Sequence, residues 1–291
     1  MQNTHLHDTH ANGLPDRSAA LYPAGTVLEE LRELNHRRVN WLRAANRLRN
    51  QCFGVCMGYC DGDKKEAERI LKTIENGTCN SGVALACAPL MAARIPLDEA
   101  RNKIENEMKR LARRLPVWQS WGAGVKGFGE LTLAKILAGA GDLGEYANPA
   151  KLWKRMGLAL VDGERQRRVG GDTEKAVRHG YNAERRSDIW NAIEPMVKHV
   201  VSATKREDGS RLLNEFGETV SLPLTPYGEY FVAERQRQRD KLRGTKDCYL
   251  KHALERAKRH LGKRILRDLW RAWRACGGLA LNQPAGGAAH A

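Results

Sequence analysis

The sequence has no apolar run near the roughly 20 residues that a membrane-spanning helix requires. It does not open with the basic and apolar regions of a secretory signal peptide. Its seven cysteines are odd in number, and their spacing is not that of a secreted disulfide framework. These absences predict a soluble, cytoplasmic protein with reduced thiols and without a membrane partner.

Acidic residues are scarce relative to basic ones. The 291 residues contain 34 Asp and Glu against 49 Lys and Arg, which gives a net charge of +15. Much of the excess lies between Glu234 and Arg274, where 15 Lys and Arg against 5 Asp and Glu leave +10. Apolar residues from Leu250 to Ala272 follow helical spacing, which predicts a basic helix with one buried face. Such a one-signed surface favours nucleic acid as the partner over an anionic membrane surface.

Two seams of apolar residues with alternating three- and four-residue spacing predict long helices. Arg38 is the one polar member of the first seam, which otherwise consists of Val27, Leu31, Leu34, Trp41, Ala45, Leu48, Cys52 and Val55. We expect Pro96 to end a helix before the second seam begins. That seam consists of Ile104, Met108, Leu111, Leu115 and Trp118. The seams are typical of an antiparallel coiled-coil arm or a dimer interface, and an intramolecular helical bundle fits them equally well.

Three cysteines lie at four-residue spacing at the end of the first seam and just beyond it. Cys52, Cys56 and Cys60 therefore share one helix face. Three aligned thiols resemble part of a metal site, but no histidine or fourth cysteine follows at the spacing of a zinc site. Because cysteine is also a small residue of apolar cores, we favour a packing role and expect no metal site.

Residues 125–137 combine a glycine turn with the start of a helix: Val-Lys-Gly-Phe-Gly-Glu-Leu-Thr-Leu-Ala-Lys-Ile-Leu. Gly127 and Gly129 permit backbone angles that a side chain disfavours. The unpaired N–H groups and the dipole of a helix start suit a phosphate. The spacing is that of the second half of a helix-hairpin-helix, a module that grips DNA through its backbone. A plain packing turn is the alternative.

These observations predict a mostly α fold. Long coiled-coil helices precede a domain that contains a helix-hairpin-helix, and a basic C-terminal helix follows. The predicted segments are a disordered tail at 1–24, a coiled-coil or helical arm at 25–118, a helix-hairpin-helix domain at 119–204, a basic helical region at 205–276 and a flexible tail at 277–291. Within the basic region, we expect residues 205–228 to be an irregular but ordered connection, because they include Pro223 and Pro226.

The order of motifs between residues 115 and 196 resembles that of one protein family. The glycine turn is followed by G-D-L-x-x-Y-A-N-x-x-x-L-W, then by G-L-A-L, a glycine pair, and H-G-Y-N before a downstream arginine. This order resembles the C-terminal domain of insertion-sequence transposases that have a RuvC-like DEDD half and a separate serine-bearing half. Some members are guided by a structured bridge RNA. The resemblance implies a bacterial, nucleoid-associated mobile-element protein of DNA transposition and recombination.

Two departures from the family pattern bear on catalysis. The RuvC-like half carries four acidic metal ligands, whereas a polar segment precedes the first seam here, so we expect Mg²⁺ only with a separate catalytic partner. The family's nucleophilic serine lies shortly after the Gly-Leu motif. This chain has Val161-Asp162-Gly163 at that place and no serine from 158 to 186. Thr173 and the phenol of Tyr181 are the remaining candidate nucleophiles.

Three functional hypotheses follow. We favour a transposase-related protein that grips nucleic-acid backbone without catalysis of its own. The second hypothesis is an active transposase component that works with a catalytic partner or through Thr173 or Tyr181. The third is a helix-hairpin-helix accessory protein of repair or recombination. DNA and structured RNA both remain open as partners, and the seams predict a homo-oligomer. The candidate nucleic-acid-binding residues are Lys126, Gly127, Phe128, Gly129, Thr132, Lys135, Arg167, Arg168, Arg185, Arg186, Lys258, Arg259, Lys263 and Arg264.

Overall fold

The computed structural model describes residues 27–245 and 249–277. The predicted tail at 1–24 lies outside these ranges, as does the predicted tail at 277–291 apart from Gly277. The described chain is mostly helical with two small antiparallel sheets, which confirms the predicted mostly α fold. No helix in these ranges combines the length and the apolar character that crossing a membrane requires.

The first three helices form an antiparallel arm. Helix α1 spans Val27–Tyr59, α2 spans Lys64–Glu75 and α3 spans Gly82–Arg113. The carboxylate of Asp63 caps α2 by accepting hydrogen bonds from the backbone N–H groups of Lys65 and Glu66. The start of α1 and the end of α3 belong to the main core of the molecule, whereas the end of α1, α2 and the start of α3 form a smaller core at the tip of the arm.

The two apolar seams pack against each other within one chain. Leu31 and Met108 are fully buried in the core that they share. Trp41 departs from the predicted seam, since 39% of its surface is exposed, and Cys56 is buried where Val55 was expected. A helix with 3.6 residues per turn drifts away from a strict seven-residue repeat, which accounts for both departures. These seams form the intramolecular bundle, and homo-oligomerisation stays a prediction.

The expectation that Pro96 ends a helix is wrong. Helix α3 continues through Pro89 and Pro96 as far as Arg113. A proline inside a helix removes one backbone hydrogen bond and costs about 3 kcal/mol. Packing against α1 and α2 extends from Val83 near the start of α3 to Leu111 near its end, and this burial keeps the helix continuous.

The cysteines of α1 lie at the tip of the arm. Cys52 and Cys56 are fully buried together with Cys87 and Leu71, as the packing interpretation predicts. Burial raises the pKa of the Cys56 thiol, and it is also the main cause that raises the pKa of Cys87 to about 12. Cys60 lies at the edge of this core. Among the described residues, no group of three His, Cys, Asp or Glu side chains is arranged to hold a metal ion.

The remaining elements form the body of the molecule. The helices are α4 (Pro116–Ser120), α5 (Glu130–Ala140), α6 (Pro149–Arg155), α7 (Thr173–His179), α8 (Ala183–Val200), α9 (Pro226–Leu242) and α10 (Tyr249–Ala275). The strands are β1 (Leu160–Val161), β2 (Glu164–Arg165), β3 (Val201–Ala203) and β4 (Ser221–Pro223). Single turns of 3-10 helix at Gly122–Gly124 and Leu143–Glu145 precede and follow α5.

Three tryptophans fasten α10 to the body. The indole N–H of Trp273 donates to the carboxylate of Asp142 at 2.8 Å, and that of Trp270 donates to the carbonyl of Tyr146 at 2.9 Å. In the opposite direction, Trp153 on α6 donates to the carbonyl of Lys263 at 3.0 Å. The main core runs from α1 to α10. The arm base, the predicted helix-hairpin-helix domain and the basic helix therefore share one core.

Residues 201–223 contain short antiparallel β structure, so part of the segment predicted as an irregular, ordered connection forms regular pairs. Strand β3 pairs with β4, with Ala203 opposite Ser221. Beyond this pair, the backbones of Thr204, Leu212 and Val220 join each other in a ring of three N–H to carbonyl hydrogen bonds of 2.8–2.9 Å. The chain thus forms a short stem with two hairpin branches. The predicted basic helical region at 205–276 begins in β structure and becomes helical at α9.

Candidate nucleic-acid interface

The predicted glycine turn is closely packed by α8. Gly127 has φ +78°, and a Cβ placed there would lie 2.8 Å from the Cα of Met196 and 3.1 Å from the Cβ of His199. The next residue, Phe128, is buried. Its ring packs edge-to-face with that of Trp121, and the two ring centres lie 5.1 Å apart. Gly127 is therefore required where the turn meets α8, and Phe128 is a core residue.

The start of α5 already holds an anionic side chain. Gly129 occupies the N-cap position with open space around it. The carboxylate of Glu130 pairs with Arg113 at 2.8 Å, and the Arg113 guanidinium is the main cause that lowers the pKa of this carboxyl, with help from its own backbone N–H. A carboxylate at a helix start satisfies the electrostatic demand that a phosphate would meet. A ligand phosphate would have to compete with Glu130 here.

The other candidates from the turn lie in different surroundings. Lys126 is exposed and Thr132 is half-buried. Lys135 faces the interior, where desolvation is the main cause that lowers its pKa, with a further contribution from Arg38. Only Lys126 and Gly129 therefore combine an outward position with the start of α5.

The residue at the family's serine position forms part of a hairpin turn. Strands β1 and β2 are joined by Asp162 and Gly163, which have φ +52° and +76°. The Asp-Gly pair between paired strands is a strong hairpin signal. The Asp162 carboxylate lies 3.2 Å from the guanidinium of Arg178 on α7. Asp162 therefore serves the turn and anchors it to α7.

A buried glutamine holds this hairpin against two helices. The side-chain oxygen of Gln166 accepts a hydrogen bond from the backbone N–H of Ala159 at 2.9 Å. Its amide nitrogen donates to the carbonyls of Lys154 at 3.1 Å and His179 at 2.6 Å. Since Gln166 is almost fully buried, these bonds fix the hairpin relative to α6 and α7.

Two glycines leave room for two arginines at the start of α8. Asn182 caps this helix by accepting a hydrogen bond from the backbone N–H of Arg185 at 2.9 Å. A Cβ on Gly139 would lie 3.1 Å from the Cγ of Arg185, and one on Gly157 would lie 3.1 Å from the Cβ of Arg186. Gly139 and Gly157, the first residue of the G-L-A-L motif, thus allow Arg185 and Arg186 to pack closely at this helix start.

Arg186 is held in place by carbonyl groups. Its guanidinium donates to the carbonyl of Gly157 at 2.9 Å and to that of Gln166 at 3.3 Å. The guanidinium carbon lies 6.0 Å from the ring centres of both Tyr181 and Trp190. A guanidinium fixed in this way retains N–H donors for a ligand and loses less side-chain entropy on binding.

Arginines from three elements converge in a cleft between the β1–β2 hairpin, α8 and α10, which we call cleft 1. Its volume is about 450 Å³. Its lining comprises Leu160, Gly163, Arg165, Arg186, Trp190, Lys251, His252, Glu255, Arg256 and Arg259. The single acid of the lining, Glu255, pairs with Lys258 at 3.1 Å. The cations of cleft 1 therefore greatly outnumber its acids.

The arginines of cleft 1 repel one another. Desolvation is the main cause that lowers the pKa of Arg259, and the nearby charges of Arg165, Arg256 and Arg186 lower it further. Desolvation is also the main cause that lowers the pKa of Arg186, and the charge of Arg165 lowers it further. Grouped cations without acidic partners destabilise the empty cleft, and a bound anion would remove that repulsion.

A second basic cleft, cleft 2, lies at the same helix start and has a volume of about 670 Å³. Its lining comprises Tyr146, Lys151, Lys154, Arg155, Gly180, Tyr181, Asn182 and Arg185, without an acidic side chain. Desolvation lowers the pKa of Arg185, and the charge of Arg155 adds to the effect. The Tyr181 ring lies next to Arg186 of cleft 1, so the two clefts adjoin.

The remaining basic candidates lie elsewhere or are already neutralised. Lys258 is buried and pairs with Glu194 at 2.6 Å, and Arg264 pairs with Asp268 at 3.1 Å. Lys263 lies 5.2 Å from the ring centre of Trp153. Arg167 pairs with Glu164 at 3.3 Å on the exposed side of the hairpin, and Arg168 is exposed beside it.

The structure thus brings Arg186 and Arg259 together in cleft 1 and places Arg185 in cleft 2. The sequence analysis missed the other cations of the clefts, which are Lys151, Lys154, Arg155, Arg165, Lys251 and Arg256. The Asp-Gly hairpin signal was the one local feature that could have indicated the orientation of Arg165.

The two candidate nucleophiles occupy different elements. Thr173 is exposed at the first position of α7, directly after the cap Asp172. Tyr181 lines cleft 2. Within the described chain neither hydroxyl has a hydrogen-bond partner, so neither is paired with a general base in this conformation.

Comparison with protein-family models, with curated proteins and with solved structures finds no match to this chain.

Proposed function

We propose that this chain binds nucleic acid through its phosphate backbone, using the adjoining clefts at the start of α8. The observation that carries the proposal is the convergence of Arg165, Arg186, Arg256 and Arg259 in cleft 1 without an available acidic partner. Cleft 2 extends the positive surface past Tyr181. The net charge of +15 has the sign that attracts a polyanion to these clefts.

A bound phosphate would relieve the repulsion between the arginines of cleft 1. Bringing partly desolvated guanidinium groups together costs free energy in the empty cleft. Other arginines of the described chain avoid that cost through partners such as Glu75, which pairs with both Arg49 and Arg94 at 2.8 Å. The planar guanidinium matches the geometry of phosphate oxygens, so a phosphate supplies what the acids supply elsewhere.

The context of DNA transposition or recombination in a bacterial cytoplasm rests on the motif resemblance of residues 115–196. Within that context the chain is a backbone-gripping component that itself needs no metal or other cofactor, and binding is expected to persist in EDTA. The alternatives are a transposase component that completes its chemistry with a partner, and an accessory protein of repair. Self-association is also part of the proposal, and sedimentation at increasing protein concentration tests it.

The decisive experiment removes two charges from cleft 1. In the double variant Arg165→Gln, Arg259→Gln, we expect the affinity for labelled DNA and RNA, measured by fluorescence anisotropy at low salt, to fall at least about tenfold. The matched control is Arg69→Gln, Arg110→Gln, which removes the same net charge from exposed positions on the arm. We expect a change of about twofold or less in the control. Equal losses in both double variants would contradict a specific role for cleft 1.

A further inference from the structure

We infer that cleft 1 accepts an unpaired nucleotide, with its base against Trp190 and its phosphates on the surrounding arginines, so that the preferred ligand is single-stranded nucleic acid. This inference rests on the proposed function and adds the class of polynucleotide. Its basis is a half-exposed aromatic wall inside a basic cleft.

Trp190 differs from the tryptophans that fasten α10. Trp153, Trp270 and Trp273 each donate the indole N–H to an acceptor of the protein at 2.8–3.0 Å. Trp190 lines cleft 1, and the described residues offer its indole N–H no acceptor. The Trp190 indole therefore does not join two elements by a hydrogen bond. Part of its ring lines cleft 1 together with the arginines.

Base stacking requires a ring that is held firmly. Trp190 lies in the second turn of α8, between the buried residues Ile189 and Ala192. The carbonyl-anchored guanidinium of Arg186 lies over the ring, with its central carbon 6.0 Å from the ring centre. A planar wall with adjacent fixed cations is the combination by which proteins bind single strands, because every base has a π face and every nucleotide has a phosphate.

The arginines provide phosphate positions around this wall. Arg165 comes from the β1–β2 hairpin, whereas Arg256 and Arg259 come from α10. They therefore approach the cleft from elements other than that of Trp190. A base on the indole would leave the phosphates of its nucleotide and its neighbour free to contact these side chains.

The size of the cleft selects against duplex. A volume of about 450 Å³ is that of a small-ligand pocket, which a single nucleotide can enter. In a duplex the bases are stacked inside, and extruding one requires unstacking and unpairing. An unpaired strand avoids this cost, so it gains both the stacking contact and the charge contacts. Single-stranded DNA and single-stranded RNA share this chemistry.

The experiment compares oligo-dT and oligo-U with a blunt duplex of equal length, using the full chain and fluorescence anisotropy. We expect both single strands to bind more tightly than the duplex. Trp190→Ala should weaken single-strand binding about tenfold, whereas Trp190→Phe, which keeps an aromatic face, should retain most of the affinity. The matched control is Trp41→Ala, which removes an exposed indole from the arm.

Tryptophan fluorescence gives a second readout that does not depend on the Ala variant being folded. Stacking of a base on Trp190 is expected to quench part of the emission of the wild-type chain, and Trp190→Phe should lose that part. Tighter binding of one single strand than the other would identify DNA or RNA as the source of the ligand. Duplex binding as tight as single-strand binding, or unchanged quenching in Trp190→Phe, would overturn the inference and leave the proposed function intact. Failure of every nucleic acid to bind would instead reject the proposed function.

Discussion

Gly127 and Gly129 are only two residues apart, yet the space around their Cα atoms is entirely different. Gly127 has φ +78° and is pressed against the backbone of Met196, whereas Gly129 has φ −91° and open surroundings at the N-cap of α5. The same substitution at these positions therefore separates a packing role from a ligand-binding role.

We expect Gly127→Ser to lower the free energy of unfolding by about 2 kcal/mol or more, because it combines a left-handed backbone with a contact to main-chain atoms. Gly129→Ser should be neutral or slightly stabilising, because serine is a favoured N-cap residue. Urea unfolding followed by circular dichroism measures both. If Gly127→Ser keeps its stability but loses affinity for nucleic acid, the turn serves the ligand and not α8.

Arg38, the polar member of the first seam, connects the arm to the body. Its guanidinium donates to the side chain of Asn35 at 2.9 Å and lies 3.5 Å from Glu105 and 3.8 Å from Asp188 on α8. Asp188 is also close to Lys135, whose charge partly opposes the rise in the pKa of Asp188 that burial causes. Buried charges that are left without a partner are costly, so this arginine is necessary once the two carboxylates are buried.

We expect Arg38→Met to destabilise the fold by about 3 kcal/mol at pH 7, since it removes one of the two positive charges, Arg38 and Lys135, that face the buried carboxylate of Asp188. Adding Asp188→Asn should restore part of the loss, because the two changes share one interaction. A double-mutant cycle of unfolding free energies measures the coupling. If the two changes in unfolding free energy are strictly additive, the Arg38–Asp188 pair at 3.8 Å does not contribute to stability.

The Arg38–Asp188 pair also predicts how the stability of Arg38→Met depends on pH. Burial is the main cause that raises the pKa of Asp188, with Lys135 and Arg38 opposing it. A carboxyl with a raised pKa in the folded state binds its proton more tightly there, so its charge costs stability as pH rises through that pKa. Arg38→Met removes one opposing charge and raises the pKa further. The deficit of this variant relative to wild type should therefore shrink between pH 7 and pH 4, as measured by chemical denaturation. A deficit that is constant over this range would argue against Asp188 as its origin.

At the scale of elements, the arm shows how far periodicity alone leads. The seam spacing correctly predicted the long helices and the burial of Leu31, Leu34, Ile104 and Met108. It did not identify the partner of each seam, because an apolar stripe has the same form whether another chain or a later helix covers it. It also failed at Pro96, where packing along α1 outweighs the local cost of a proline.

We expect Leu31→Ala to cost about 2–5 kcal/mol of unfolding free energy, because Leu31 is fully buried between α1 and α3. Since the seam is closed within one chain, the loss in thermal midpoint of this variant relative to wild type should not depend on protein concentration. The exposed Leu85 on α3 is the matched control, and its replacement by Ala should cost less than about 0.5 kcal/mol. A difference in midpoint that changes with protein concentration would indicate that the seam is instead shared between chains.

At the scale of the whole molecule, the candidate interface depends on tertiary packing. Arg185 and Arg186 were predicted because they follow a recognisable motif. Arg165 and Arg256 were missed because they are about 90 residues apart in sequence and meet only when α10 is fastened to the body by its tryptophans. In the opposite direction, Lys258 was predicted as a ligand contact, but it is paired with Glu194 and Glu255. Helical spacing predicts which face of a helix is buried. It does not predict which charged side chains of other elements will lie next to that helix.

The basic surface as a whole predicts a strong dependence of binding on salt. If the ligand neutralises its phosphates on about six of the cations in clefts 1 and 2, the slope of log K against log salt should be about −5 on duplex DNA and about −4 on single strands. The slope arises from counterions released by the polynucleotide, so it reports how many phosphates are contacted and not which bases. Arg165→Gln, Arg259→Gln should reduce the magnitude of the single-strand slope by about 1.4, since two phosphate contacts are removed. Titrations at several salt concentrations measure both slopes.

The double variant Arg69→Gln, Arg110→Gln changes the net charge equally but lies on the arm, so its slope should match that of the wild type. A flat dependence in the wild type would show that the clustered arginines bind something other than a phosphate backbone.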